Sequence, residues 1–190
     1  MGDFSQNGII SNLHDFGTKT TADIEKELVK FSKERKMELI LPSLYSELKG
    51  DALPNIVKQI SETKYLNHII VGLDKASKAE AVKAWKFFKK LNTPFTILWN
   101  DGPRLKKLHE ELKKKDLAPS EMGKGRNVWY CLGMCIARDE ARSVALHDCD
   151  IKTYDRRMLA KLFYPVVNPF FNFEFCKGYY PRISKGKMNG

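Results

Sequence analysis

Apolar residues occur along this chain in two kinds of run that alternate. In residues 20–36 they recur at helical spacing: Ile24, Leu28 and Phe31 share a stripe, Thr20 or Thr21 can cap it, and Asp23 suits the first turn. The stretch MELILPSL (37–44) is continuously apolar and short, the pattern of a buried strand, and Pro42 is expected to stop it. The alternation then repeats. Residues 51–62 predict a helix with Ile56 and Ile60 inward and Pro54 in its first turn, and LNHIIVGLD (66–74) predicts a second strand. A helix over 77–91 puts Ala81, Trp85 and Phe88 on one face, PFTILWND (94–101) is a third strand, and a basic helix covers 103–115. The helix that begins at GKGRNVWYCLGMCIARDEA aligns Trp129, Leu132 and Ile136, and Trp85, Trp99 and Trp129 are expected to be core. SVALHD (143–148) is the fourth strand, followed by a helix near 155–165 and an apolar strand in PFFNFEFCKGYY.

Strands that are apolar throughout, separated by helices, indicate a mostly parallel sheet covered by helices on both faces. The fold class is therefore α/β. Ligands of such sheets bind at the carboxyl ends of the strands. The residues expected there are Pro42 to Glu47, Asp74 to Ser77, Asn100 to Asp101, and His147 to Asp150.

Length and charge sharpen this picture without changing it. A chain of 190 residues suits one well-packed domain, and 43% hydrophobic with 29% charged residues describes an ordinary globular protein. No apolar run approaches the ~20 residues of a membrane span, and the amino terminus has no secretory pattern. Four cysteines are too few for a disulfide scaffold, which makes a reducing cytoplasm the expected compartment. The formal net charge of +10 calls for a phosphate-bearing or polyanionic partner, although many of the lysines solvate helix faces.

Candidate chemistry concentrates in SVALHDCDIKTYD (143–155). Asp148 and Asp150 are hard oxygen donors one residue apart at a strand end, which suits Mg²⁺ or Mn²⁺; a solvated turn explains them as well. A zinc site would use His147, Cys149, Cys131 and Cys135, but Cys131 and Cys135 are spaced i, i+4 and lack the C-x₂-C knuckle. No glycine-rich elbow marks any cysteine as a nucleophile. The P-loop pattern is absent, and Gly123-Lys124-Gly125 supplies only the start of a dinucleotide fingerprint. Lys124 would nonetheless stand at a helix N-terminus, where its charge adds to a dipole that attracts phosphate. His147 reads as a packed strand-end residue.

Taken in order, LILPSLYSE (39–47), IIVGLDKAS (69–77), GKGRNVWYCLG (123–133), ALHDCDI (145–151) and NPFFNFEFCKGYYPR (168–182) resemble the nucleotide-sugar half of GT-A glycosyltransferases. The resemblance is strongest to the glucosyl-3-phosphoglycerate synthases and related glucosylglycerate-forming enzymes. It covers residues 37–190 and leaves 1–36 as an N-terminal extension bearing the amphipathic helix. It implies a Rossmann-like GT-A sheet and an NDP-sugar donor, UDP-glucose or GDP-glucose. Pro42, Ser43 and Leu44 would line the nucleobase pocket with Glu47 nearby, and Asp74 and Ser77 would contact the nucleoside. Lys124 would meet the sugar or diphosphate, Asp148 the ribose or sugar and the metal, and Asp150 would be the protein's metal ligand, Mg²⁺ or Mn²⁺. Lys177 and Arg182 would stand in the strand leading toward the acceptor. Three positions depart from the family pattern: Tyr45-Ser46 precede Glu47, Ala76 stands for a glycine, and Cys149 for a smaller residue.

The resemblance implies transfer of a hexose, glucose, to a small phosphorylated or carboxylate acceptor such as 3-phosphoglycerate or glycerate. The family continues beyond this point into an acceptor-binding half, so the chain is expected to be a donor-binding portion of a larger enzyme. A catalytically inactive nucleotide-sugar-binding lobe is the alternative, and a homodimer stays open. A basic nucleic-acid-binding protein has only CKGYYPRISKGKMNG in its favour and is not expected.

Overall fold

The computed structural model describes residues 19–171 and 173–178, together with the backbone of residues 182–184 and 187–189. The elements run α1 (Thr21–Phe31), β1 (Met37–Leu44), a 3₁₀ turn (Tyr45–Lys49), α2 (Ala52–Ser61), β2 (His68–Asp74), α3 (Lys78–Phe88), β3 (Phe95–Trp99), α4 (Pro103–Lys113), α5 (Lys124–Arg138), β4 (Ser143–Leu146), α6 (Arg156–Val167), β5 (Arg182–Ser184) and β6 (Lys187–Asn189). Strands β1 to β4 form one parallel sheet in the order β3-β2-β1-β4. The α/β architecture with a parallel sheet is thus as the sequence indicates. Among the described residues no helix is long and apolar enough to cross a membrane.

Side chains alternate across the sheet, so its two faces recruit different residues. Leu39, Leu41, Ile69, Val71 and Ala145 turn to one face, where they form the main core with Leu28 of α1, Ile56 and Ile60 of α2, and Leu159 and Phe163 of α6. Helix α3 adds Ala84 beside Leu73 and Tyr45. Ile40 and Ile70 turn to the other face and meet Cys131 and Cys135 of α5. Helix α4 leans on α5 through His109 Nδ1 and Tyr130 Oη, 2.6 Å apart. Helix α1 is locked by a reciprocal capping box between Thr20 and Asp23, and through Ile24 and Leu28 it joins the main core.

Three expectations need correction. Pro42 does not stop β1; it pairs with Gly72, and the strand runs on to Leu44. The backbone explains this. Ile40 O accepts from His147 N, so even-numbered groups of β1 point toward β4, whose pairing ends at Leu146. The N–H that Pro42 lacks would therefore have no strand to bond. Residues 169–171 and 173–178 form no strand: Asn168 Oδ1 accepts from Phe170 N in a turn, and the strands further on are the short antiparallel pair β5 and β6. Trp129, Leu132 and Ile136 do align along α5, but on its solvent side, and Trp85 is likewise half exposed beneath Lys89.

Candidate functional site

The strand order reverses between β1 and β4, because the chain leaves β1 toward β2 and β3 and then returns to the opposite edge of β1. At such a point the carboxyl ends of two neighbouring strands open onto a shared crevice. The 3₁₀ turn after β1 carries Glu47 into it, and the segment after β4 carries Asp148 and Asp150. Glu47 is fixed by accepting from Leu44 N at 2.9 Å. Burial, partly offset by this bond and by Ser43, raises its carboxyl above the ordinary range, and the charges of Asp150 and Asp148 raise it further. The carboxylates are therefore close enough to repel, which is the setting that a cation relieves.

Helix α5 delivers the opposing charge. Its first residue, Lys124, forms an ion pair with Asp148, and both side chains remain about half exposed, 57% and 45%. Gly123 caps the helix at φ 141°, a backbone conformation open to glycine, with no side-chain cap and no acid in the first turn. The first-turn N–H groups and the Lys124 ammonium lie together beside the Asp148 carboxylate, an arrangement that favours negative charge.

The predicted residues Pro42, Ser43, Leu44, Glu47, Lys124, Asp148 and Asp150 thus gather at adjoining strand ends. Ser43 is buried and donates to Leu44 O at 3.1 Å. Asp74 lies next to them, in register with Leu44. Ser77 acts locally, its hydroxyl capping α3 and donating to Glu80 at 2.8 Å. The intervening turn is pinned from β3, because Ala76 N donates to Asp101 and Trp99 Nε1 donates to Ala76 O, at 2.9 and 2.8 Å. Tyr179, Tyr180 and the side chain of Arg182 lie outside the described residues.

His147 and Cys149 alternate with the aspartates and turn inward. His147 is buried edge-on to Tyr154, 5.3 Å between ring centres, and burial lowers its pKa to about 4. Burial pushes the Cys149 thiol far up, and those of Cys131 and Cys135 up to about 12. The protonated thiol that burial favours is a poorer nucleophile and metal ligand than the thiolate. Among the described residues no three His, Cys, Asp or Glu side chains cluster to hold a metal ion. A divalent ion here would have Asp148 and Asp150 as protein ligands, and the remaining positions suit waters and phosphate oxygens, the habit of Mg²⁺.

Two positioning residues escape a reading by motif. Asn127 of α5 is buried and donates to Gly72 O at 2.8 Å. A Cβ on Gly72 would come within 1.7 Å of Asn127 Oδ1 and 2.7 Å of Cys131 Sγ, so the glycine is what lets α5 seat against β2 and present Lys124. A lone glycine inside an apolar strand was the available signal. Asn100, at the end of β3, is buried with neither amide atom partnered among the described residues.

No family model matches the chain. Among curated proteins, it is 44% identical over 184 residues to the glucosyl-3-phosphoglycerate synthase of Persephonella marina, a match covering 97% of this chain and 46% of that protein. The enzyme of the same name from Methanococcoides burtonii is 36% identical over 180 residues, covering 94% and 44%. The chain is similar, along nearly all of its length, to a part of the glucosyl-3-phosphoglycerate synthases. It spans about half the length of these curated relatives. A solved glucosyl-3-phosphoglycerate synthase from Mycobacterium tuberculosis, in complex with Mn²⁺, UDP and glucosyl-3-phosphoglycerate, superposes with a TM-score of 0.51 at 16% identity, covering 83% of this chain and 47% of that one. At that identity the likeness is one of fold, and it agrees with the parallel sheet described above.

Proposed function

We propose that the chain is the donor-binding portion of a glycosyltransferase that moves glucose from a nucleoside-diphosphate sugar to a small acceptor, 3-phosphoglycerate or glycerate, in the cytoplasm. One observation carries this reading: Lys124 at the N-terminus of α5 pairs with Asp148 just after β4, where the strand order reverses, with Glu47 and Asp150 on the segments that follow β1 and β4. A nucleotide sugar needs these features together, an anion site for the diphosphate and carboxylates for the sugar, ribose and cation. Pro42, Ser43 and Leu44 with Asp74 line the base and nucleoside side, and Ser77 sits at its margin. Mg²⁺ or Mn²⁺ held by Asp150 and Asp148 would offset charge on the departing diphosphate. Lys124 turns from Asp148 to the phosphates and stabilises the same charge, from a helix N-terminus that needs no reorganisation.

A second reading, a nucleotide-sugar-binding lobe without turnover of its own, is favoured by the match to under half of each relative. Calorimetry with UDP-glucose and GDP-glucose, each with and without Mg²⁺, tests what the two readings share. Binding should require the metal and be lost in Asp148→Ala and Asp150→Ala; unchanged binding in both variants refutes the site. Sugar transfer to 3-phosphoglycerate by the 190-residue chain then separates the readings, since the lobe would bind and not turn over.

A further inference from the structure

The ion pair of Lys124 with Asp148 joins two groups that the donor site would use for other partners. In that reading Asp148 serves the cation and Lys124 serves the phosphates. Both side chains are about half exposed, so the pair can open without disturbing the core. Gly123 and Gly125 flank Lys124, and a Cβ added at either would meet nothing within 4 Å. That leaves room for the ammonium to swing on its flexible four-carbon stem. The first turn of α5 carries no acid, so the ammonium has no carboxylate of its own turn to fall back on. The partner it finds is Asp148, on the segment after β4. A second cation on the same carboxylate would be repelled by the first.

We propose that Lys124 is a tethered counter-ion for Asp148, one that opposes divalent-cation binding until a diphosphate arrives and then promotes it. Without a diphosphate, ammonium and cation compete for the same carboxylate. A diphosphate draws Lys124 to its own oxygens, releases Asp148, and places negative charge between the two cations. One residue thereby converts competition into cooperation. Linkage makes the effect reciprocal: the factor by which the diphosphate raises cation affinity is the factor by which the cation raises diphosphate affinity. The chain would take up cation and donor together and hold little cation by itself. This regulation rests on the donor-site reading and adds a change of sign to it. Removing the lysine's charge should improve one binding step and harm the other.

The test follows Mn²⁺ binding to the 190-residue chain through the electron paramagnetic resonance signal of the free ion, with and without saturating UDP. The parent chain, Lys124→Met and Lys124→Arg are compared at one UDP concentration, so the affinity of UDP itself for Mn²⁺ cancels. Without UDP, Lys124→Met should bind Mn²⁺ more tightly than the parent; with UDP the order should reverse. The gain in Mn²⁺ affinity on adding UDP should fall at least about fivefold in Lys124→Met, the low end of typical couplings between sites. Lys124→Arg keeps the charge and should bind Mn²⁺ without UDP no more tightly than the parent. Three results overturn the inference and leave the donor site standing: nucleotide-free Lys124→Met binding Mn²⁺ no better than the parent, an equal UDP-dependent gain in both, or the same tightening in Lys124→Arg. A parent chain that binds no Mn²⁺ even with UDP refutes the donor site, and the inference falls with it.

Discussion

The two faces of the parallel sheet are closed to different degrees. On one, α1, α2 and α6 bring Leu28, Ile56, Ile60, Leu159 and Phe163 onto Leu39, Leu41, Ile69 and Val71, and these residues are fully or almost fully buried. On the other, the buried apolar cluster among the described residues is Ile40, Ile70, Cys131 and Cys135, with Leu98 and Met134 partly buried against it and the ion pair of Arg138 with buried Glu38 at 3.0 Å beside it. The closed face has what a domain needs to fold, because it removes a continuous apolar surface from water. Across the open face α5 brings Lys124 to Asp148, while Trp129, Leu132 and Ile136 on its outer side are exposed.

Truncation on the two faces should have unequal consequences. Phe163 is 2% exposed and packs edge-on to Tyr65 at 6.2 Å. Phe163→Ala should cost about 3–5 kcal/mol. Leu132→Ala on the bare stripe should stay within about 0.5 kcal/mol. Urea unfolding of both variants checks the contrast, and equal costs would break it.

The closed face should also be the acid-sensitive one. His147 turns into it, with a folded pKa of about 4 against an ordinary 6.5. A depressed folded value means that the unfolded chain binds the proton more readily, so the contribution is complete above pH 6.5 and declines as pH falls toward 4. The loss is about 3 kcal/mol at most. Thermal midpoints measured from about pH 7 to 4 should fall less steeply in His147→Gln than in the parent chain.

Gly72 lies under α5, and its substitution sharpens the comparison from the open side. The methyl group of Gly72→Ala must displace Asn127 and Cys131, at about 1–3 kcal/mol. The displacement also moves the N-terminus of α5, so nucleoside-diphosphate affinity should fall by more than the stability loss alone produces. Calorimetry at a temperature where the variant remains folded checks this.

Most of the element order was legible, since continuous apolar runs and helical stripes are local patterns. Pro42 misled because the cost of a missing N–H depends on whether a neighbouring strand is there to accept it, and β4 ends too early. The stripe of Trp129, Leu132 and Ile136 misled because periodicity reports an apolar face without saying what covers it. The convergence of Glu47 with Asp148 and Asp150 joins residues far apart in the chain, which no local pattern contains. The rule that ligands sit at the carboxyl ends of parallel strands supplied that grouping, and the strand order, with β4 beside β1, gives its physical basis.

The sequence by itself determined the α/β alternation and the strand ends that could carry chemistry, and it set Cys131 and Cys135 on one helical face. These follow from side-chain periodicity and backbone propensity, which act over a few residues. Only the tertiary structure decided that β4 returns beside β1, that Gly72 admits Asn127, that His147 turns inward while Asp148 meets Lys124, and that the apolar stripe of α5 faces outward. Each of these depends on which elements become neighbours, and that choice is made by packing the whole apolar surface at once.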